Sequence, residues 1–208
     1  MFEQSENYSS RLYTRTVEEI NMKTEKLHIA IILGTKREGR RSENAARLVE
    51  TVGQKFDEIQ IRFVDPRDYN FPGDGNNADT RDPKFTEITK WADGFFIVTP
   101  EYNHGYPSSL KRMLDTEYRN YFYKPVALAG VSIGIFGGAR CIEALLHTLR
   151  ELHMTVLPQD VNFSKVQDVF GENGELKDES YLPRIEGSWK ELIWMTKVMK
   201  NGRDNIKR

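Results

Sequence analysis

Cysteine is nearly absent from this chain. Cys141 alone stands among 208 residues, which excludes a disulfide framework within one molecule and any iron–sulfur cluster or zinc site built on cysteines. A reducing, cytoplasmic setting is the expectation that follows. An excess of one charge is missing too: 30 Lys and Arg stand against 31 Asp and Glu, so the strongly basic surface that nucleic-acid partners require is not there. No stretch approaches the roughly 20 apolar residues of a membrane span, and the opening MFEQSENYSSRLYTRT lacks the apolar centre of a secretion signal. Neither a metal-ligand spacing nor a Ser/His/Asp arrangement is evident.

What is present is alternation. Residues 1–26 are polar, with Leu12, Val17 and Ile20 scattered among them, and read as a flexible leader or an arm that packs on a partner subunit. The main domain is expected over 27–200 and a polar tail over 201–208. LHIAIILG (27–34) has the unbroken apolar, β-branched character of a parallel strand buried on both faces. Ser42 is the expected N-cap of a following helix with Ala45, Leu48, Val49, Val52 and Phe56 on one side. Further strands are expected at 59–65, 94–100, 125–132 and 154–158, and further helices at 83–93, 107–115, 138–153 and 181–200. Five strands alternating with five helices predict an α/β fold with a doubly wound parallel sheet and helices on both faces. YNFPGDGNNADTRDP, after the second strand, is rich in turn residues and reads as a surface loop.

Ligands of such sheets bind beyond the carboxyl ends of the strands, where strand order reverses. Three loops leave carboxyl ends with unusual chemistry. GTKREGRRSENA (34–45) puts Thr35, Ser42 and Asn44 beside Lys36, Arg37, Arg40 and Arg41 at a helix start, a combination suited to phosphate. It matches neither GxGxxG nor GxxxxGK[ST], so it points to neither a dinucleotide fold nor an NTPase. PEYNHGYPSSL (100–110) ends an apolar strand in Glu101, Tyr102 and Asn103 before a proline-started helix, and a flat heterocycle suits such a wall. His104 reads more readily as a surface residue than as a catalyst. SIGIFGGARC (132–141) brings bare backbone at Gly134, Gly137 and Gly138 to a strand-to-helix turn.

In this order and spacing, GTKREGRRSENAA, PEYNHGYPSSLKRMLD and SIGIFGGARC resemble the NADPH-dependent FMN reductase family of flavodoxin-like proteins, which includes quinone, azo and chromate reductases. The resemblance spans about residues 27–200 and implies a flavodoxin-like five-stranded sheet in the order 2-1-3-4-5. It further implies that Arg37, Ser42 and Asn44 hold the FMN phosphate, within a loop that also offers Thr35 and Arg40. Pro100, Glu101, Tyr102 and Asn103 would lie along the isoalloxazine, with Ser132 and the Gly134–Gly138 turn, Gly137 included, on its other side. A homodimer or homotetramer with the flavin near a subunit boundary is also implied. EYRNYFYKP (117–125) departs from the family by lacking a tryptophan after the LD, and its aromatics read as dimer surface or as core.

Such a site implies a flavoprotein oxidoreductase in which NADPH, or NADH, reduces FMN and leaves before a small-molecule acceptor enters, a ping-pong cycle. Quinone, azo dye, nitroaromatic, chromate, ferric chelate and free flavin all remain open as acceptors. No side chain is needed as nucleophile or general base, and no catalytic residue is named. Arg40 and Arg41 are expected to favour the 2′-phosphate of NADPH. Cys141 reads as a packed small hydrophobe. The competing readings are a flavodoxin-type electron carrier that works with a partner protein, and a regulatory domain of the same fold without flavin.

Overall fold

The computed structural model describes residues 25–207, so the expected leader lies almost wholly outside the described residues. Strands β1 (Leu27–Leu33), β2 (Ile59–Val64), β3 (Gly94–Pro100) and β4 (Pro125–Val131) form one parallel sheet. With β5 (Thr155–Val156) and β6 (Val161–Phe163), the strand order is β2-β1-β3-β4-β5, and β6 also pairs with β4.

The expected fifth strand is divided. β5 (Thr155–Val156) pairs with the start of β4, and β6 (Val161–Phe163) pairs with its end. The backbone between them includes Pro158, which has no N–H to donate to a ladder, and the chain leaves β4 after Leu157 before rejoining it at Val161. The single strand expected over 154–158 is thus corrected to two short ones.

Alternating residues of the central strands feed two cores. In β1, Ile29, Ile31 and Leu33 join one cluster while Ala30 and Ile32 join the other. The first cluster is closed by α1 (Ser42–Gly53), the short α5 (Val166–Val169) and α6 (Tyr181–Asn205). The second is closed by α2 (Pro83–Trp91), α3 (Ser108–Asp115) and α4 (Ala139–Glu151). Right-handed crossovers demand this placement when the order reverses between β1 and β3.

Local chemistry sets the ends of the helices. The Asp82 carboxylate accepts from the amides of Lys84 and Phe85 to start α2, with Pro83 at the first position. The last helix runs to Asn205, which shortens the expected polar tail. It continues because Lys200 and Arg203 from its final turns both pair with the buried Asp93, at 2.9 and 3.3 Å. Of the 117–125 aromatics, Tyr121 is fully buried, whereas Tyr118 and Phe122 pack with His153 near the surface.

Candidate functional site

β1 and β3 are neighbours in register, yet the chain leaves them toward opposite edges of the sheet. Their carboxyl ends flank the crevice that such a reversal opens. Gly34 continues β1 by donating its amide to Val98 O at 2.8 Å, and a Cβ there would lie 2.7 Å from the Thr99 hydroxyl, so the two chains approach as closely as glycine allows. A cavity of about 490 Å³ lies over this crevice.

The first loop contributes Arg37, Gly39, Arg40, Arg41 and Ser42 to the cavity wall. Ser42 is not the N-cap expected from sequence. Arg41 occupies that position without a side-chain cap, and Ser42 is the first helical residue, with its buried Oγ lacking any hydrogen-bond partner. Asn44 lies one step outside, on an adjoining polar cleft of about 480 Å³ that shares Arg40 and Arg41. Thr35 is buried, and its Oγ1 lies 2.9 Å from the Tyr102 hydroxyl.

Arg40 departs from its expected role. Its side chain is only 2% exposed and its guanidinium is committed to Asp65, Glu43 and the Thr35 carbonyl, the last at 2.6 Å. A guanidinium held this way is structural and does not offer itself to a 2′-phosphate. Arg41 is exposed.

The second loop contributes Pro100, Glu101 and Tyr102. Tyr102 and Gly105 exchange backbone hydrogen bonds of 2.8 and 2.9 Å, closing a two-residue hairpin whose tip residues, Asn103 and His104, have φ of 49° and 66°. Asparagine tolerates that region. Asn103 is therefore an exposed turn residue at the edge of the site, outside the cavity wall. Glu101 is turned inward with its side chain 6% exposed; one oxygen pairs with Arg140 at 2.5 Å and the other, Oε2, is buried and unpartnered.

From the third loop, Ser132, Ile133 and Gly134 line the cavity. Gly137 and Gly138 do not. Both have positive φ, and their bareness is used inside the protein: Gly138 presses on β4 so closely that a Cβ would lie 2.6 Å from Val131 N, and Gly137 packs on Asn162. Arg140, from the first turn of α4, and Val166, from α5, complete the wall and were not foreseen. Cys141 is fully buried with Sγ 3.0 Å from Gly138 O, and burial, reinforced by the charge of Glu101, pushes its thiol up to about 12. It is no thiolate at neutral pH.

Of the four arginines on the cavity wall, Arg40 and Arg140 are paired with carboxylates, and Arg37 and Arg41 leave the lining electropositive and suited to an anion. Its two orphaned oxygens are specific about the occupant. Ser42 Oγ, at the N-terminal turn of α1, can donate to a phosphate at the positive end of the helix, where the Glu43 and Asn44 amides already make short-turn bonds to Arg40 O and Arg41 O. Glu101 Oε2 requires a donor. FMN meets both demands, through its phosphate at one end and its ribityl hydroxyls and ring N–H at the other. Among the described residues, no cluster of His, Cys, Asp or Glu is arranged to hold a metal ion, and no helix is long and apolar enough to cross a membrane.

Residues 27–168 match the family model of the NADPH-dependent FMN reductases. The chain is 33% identical over 140 residues to an NAD(P)H-dependent FMN reductase of Schizosaccharomyces pombe, covering 62% of this chain and 69% of that one. It is 29% identical over 188 residues to a quinone reductase of Escherichia coli, covering 84% of this chain and all of the relative. The flavoenzyme NAD(P)H:(acceptor) oxidoreductase FerB of Paracoccus denitrificans superposes with a TM-score of 0.67 at 17% identity, over 83% of this chain and 98% of FerB, a likeness of fold. The chain belongs to the NADPH-dependent FMN reductase family and is a flavodoxin-like oxidoreductase of the NAD(P)H-dependent, FMN-using type.

Proposed function

We propose that the chain transfers two electrons from NADPH, or NADH, to a quinone, azo, chromate, ferric or flavin acceptor in a ping-pong cycle. The observation that carries this reading is the cavity at the β1–β3 reversal, where a buried donor, Ser42 Oγ, and a buried acceptor, Glu101 Oε2, both await a partner. The bound flavin supplies the redox chemistry. The residues of the chain bind and orient. The Ser42 hydroxyl and the positive end of α1 hold the phosphate, and Arg37 and Arg41 add charge to it. Tyr102 and Pro100 form one wall of the ring pocket and Ser132 and Gly134 the opposite one. The Arg140–Glu101 pair fixes the carboxylate in place and leaves its second oxygen to accept a hydrogen bond.

Reductant and acceptor use the open side in turn, so no second substrate site is required. Beside this opening, Ile133, Ile135 and Phe136 are 75, 67 and 55% exposed, an apolar edge that suits a partner subunit in a homodimer or homotetramer. A cytoplasmic setting belongs to this reading.

The test is an anaerobic visible spectrum of the purified protein with FMN, followed after one equivalent of NADPH and then a quinone. Bleaching followed by recovery without any partner protein is expected. Bound flavin that NADPH leaves oxidised would instead favour the electron carrier.

A further inference from the structure

The loop that leads from β1 to α1 is held from outside, by residues at the end of β2. Arg40 spans three elements at once: its Nη1 donates to Thr35 O at 2.6 Å and to Asp65 Oδ1 at 2.9 Å, its Nη2 donates to Asp65 Oδ2, and its Nε donates to Glu43 in the first turn of α1. Arg67, two residues beyond Asp65, donates from Nε to Lys36 O at 3.2 Å and from Nη2 to Arg37 O at 2.6 Å. Asp65 joins the two devices, because it also accepts the Arg67 amide at 2.9 Å. Burial alone would raise the Asp65 carboxyl, but the Arg40 hydrogen bonds and the Arg67 amide outweigh it and hold it below the ordinary carboxylate range.

Three consecutive carbonyls, those of Thr35, Lys36 and Arg37, are therefore tied to guanidiniums. In a trans peptide the carbonyl of one residue and the N–H of the next point opposite ways. The N–H of Lys36 is thereby turned away from Arg40 and that of Glu38 away from Arg67, while the Arg37 amide donates to Thr35 Oγ1 at 3.3 Å and so braces the loop from within. An array of backbone amides fixed in advance is what an anion requires of a loop.

We propose that Asp65 and Arg67 are positioning residues that hold the 35–41 loop in the form that receives the flavin phosphate. The inference rests on the FMN reading of the cavity. Neither residue lines the cavity, and each acts through main chain or through Arg40.

The test compares FMN with riboflavin, which lacks the phosphate, by fluorescence titration of the apoprotein in wild type, Asp65→Asn and Arg67→Met. The first variant weakens a charged hydrogen-bonded pair and is expected to raise the FMN dissociation constant about tenfold or more; the second removes only exposed bonds to carbonyls and should raise it about threefold to tenfold. Riboflavin affinity should stay within about twofold in both. Arg67→Met serves where Asp65→Asn fails to fold, since Arg67 is exposed. Equal losses for both flavins, or no loss for either, would overturn the positioning role while leaving the FMN site intact. A wild type that binds neither flavin would overturn the FMN reading itself, and the proposal with it.

Discussion

The hydroxyls of Thr35 and Tyr102 meet at 2.9 Å, 67 residues apart in sequence, and tie the loop after β1 to the hairpin after β3. The two carboxyl ends at the strand reversal are thus latched by one polar contact. Tyr102→Phe keeps the ring and removes the latch. A net hydrogen bond contributes about 1 kcal/mol, so the unfolding midpoint should fall by about 2–4 °C and FMN, which needs the two loops together, should bind up to about fivefold more weakly. Unchanged affinity in a flavin titration would detach the latch from the site.

Ser42 permits a test in which stability and binding move in opposite directions. Its buried Oγ has no partner, so Ser42→Ala removes an unsatisfied polar atom and should leave the apoprotein as stable as wild type or slightly more so. With phosphate bound the hydroxyl would donate a charge-assisted hydrogen bond of about 1.5–3 kcal/mol, so the FMN dissociation constant should rise about 10- to 100-fold. Calorimetry of the apoprotein and titration with FMN read the two effects separately. A loss of stability without a loss of affinity would make Ser42 an ordinary helix-start residue.

The parts of the fold legible in sequence were those whose cause is local. LHIAIIL, GFFIVTP and PVALAGV announce buried parallel strands by composition alone, and Pro83 after Asp82 announces a helix start. The three loops of the site were legible because residues at one carboxyl end share a short stretch of chain. What sequence could not show was pairing across distance. Arg40 looks like a free surface cation until the β1–β2 register, Ile32 beside Val64, brings Asp65 to it. Likewise Lys200 and Arg203 extend α6 because Asp93, more than 100 residues earlier, lies under them. Val166 was missed because it enters the cavity from a helix outside the three quoted loops, and Arg140, although inside SIGIFGGARC, because only its pairing with Glu101 across the crevice brings it to the wall.

The contact between α1 and α6 is tight enough to decide the sign of a glycine substitution. Trp189 is fully buried and donates Nε1–H to Val49 O at 2.9 Å, and a Cβ added at Gly53 would lie 2.5 Å from Trp189 Cζ2. Helix propensity alone would have Gly53→Ala stabilise by up to about 1 kcal/mol. Overpacking a ring that is held by its own hydrogen bond costs about 1–3 kcal/mol, so a net loss is expected. For a domain of this size that corresponds to a fall of a few degrees in the thermal midpoint. A higher midpoint would show that the indole has room to shift.

At the opposite end of the sheet, Lys124 is 9% exposed and its Nζ donates to Thr89 O at 2.8 Å and to Lys90 O at 3.4 Å. Burial, aided by the like charge of Arg203 and opposed by Asp93, pushes its ammonium down to about 8. In the unfolded chain a lysine titrates near 10.4, so between these values the unfolded state binds more protons and stability rises with pH. Below about 8 both states are charged and the folded one carries the full penalty; above about 10.4 both are neutral and the penalty is gone. Lys124→Met removes the titration but also leaves carbonyls unpaired, so its stability at one pH is ambiguous while the slope is not. Relative to the variant, the wild type should gain up to a few kcal/mol from pH 8 to 10.4, as read by urea unfolding. A flat difference across that window would mean that the ammonium keeps an ordinary lysine affinity for its proton, and that its two carbonyl partners offset the cost of burial.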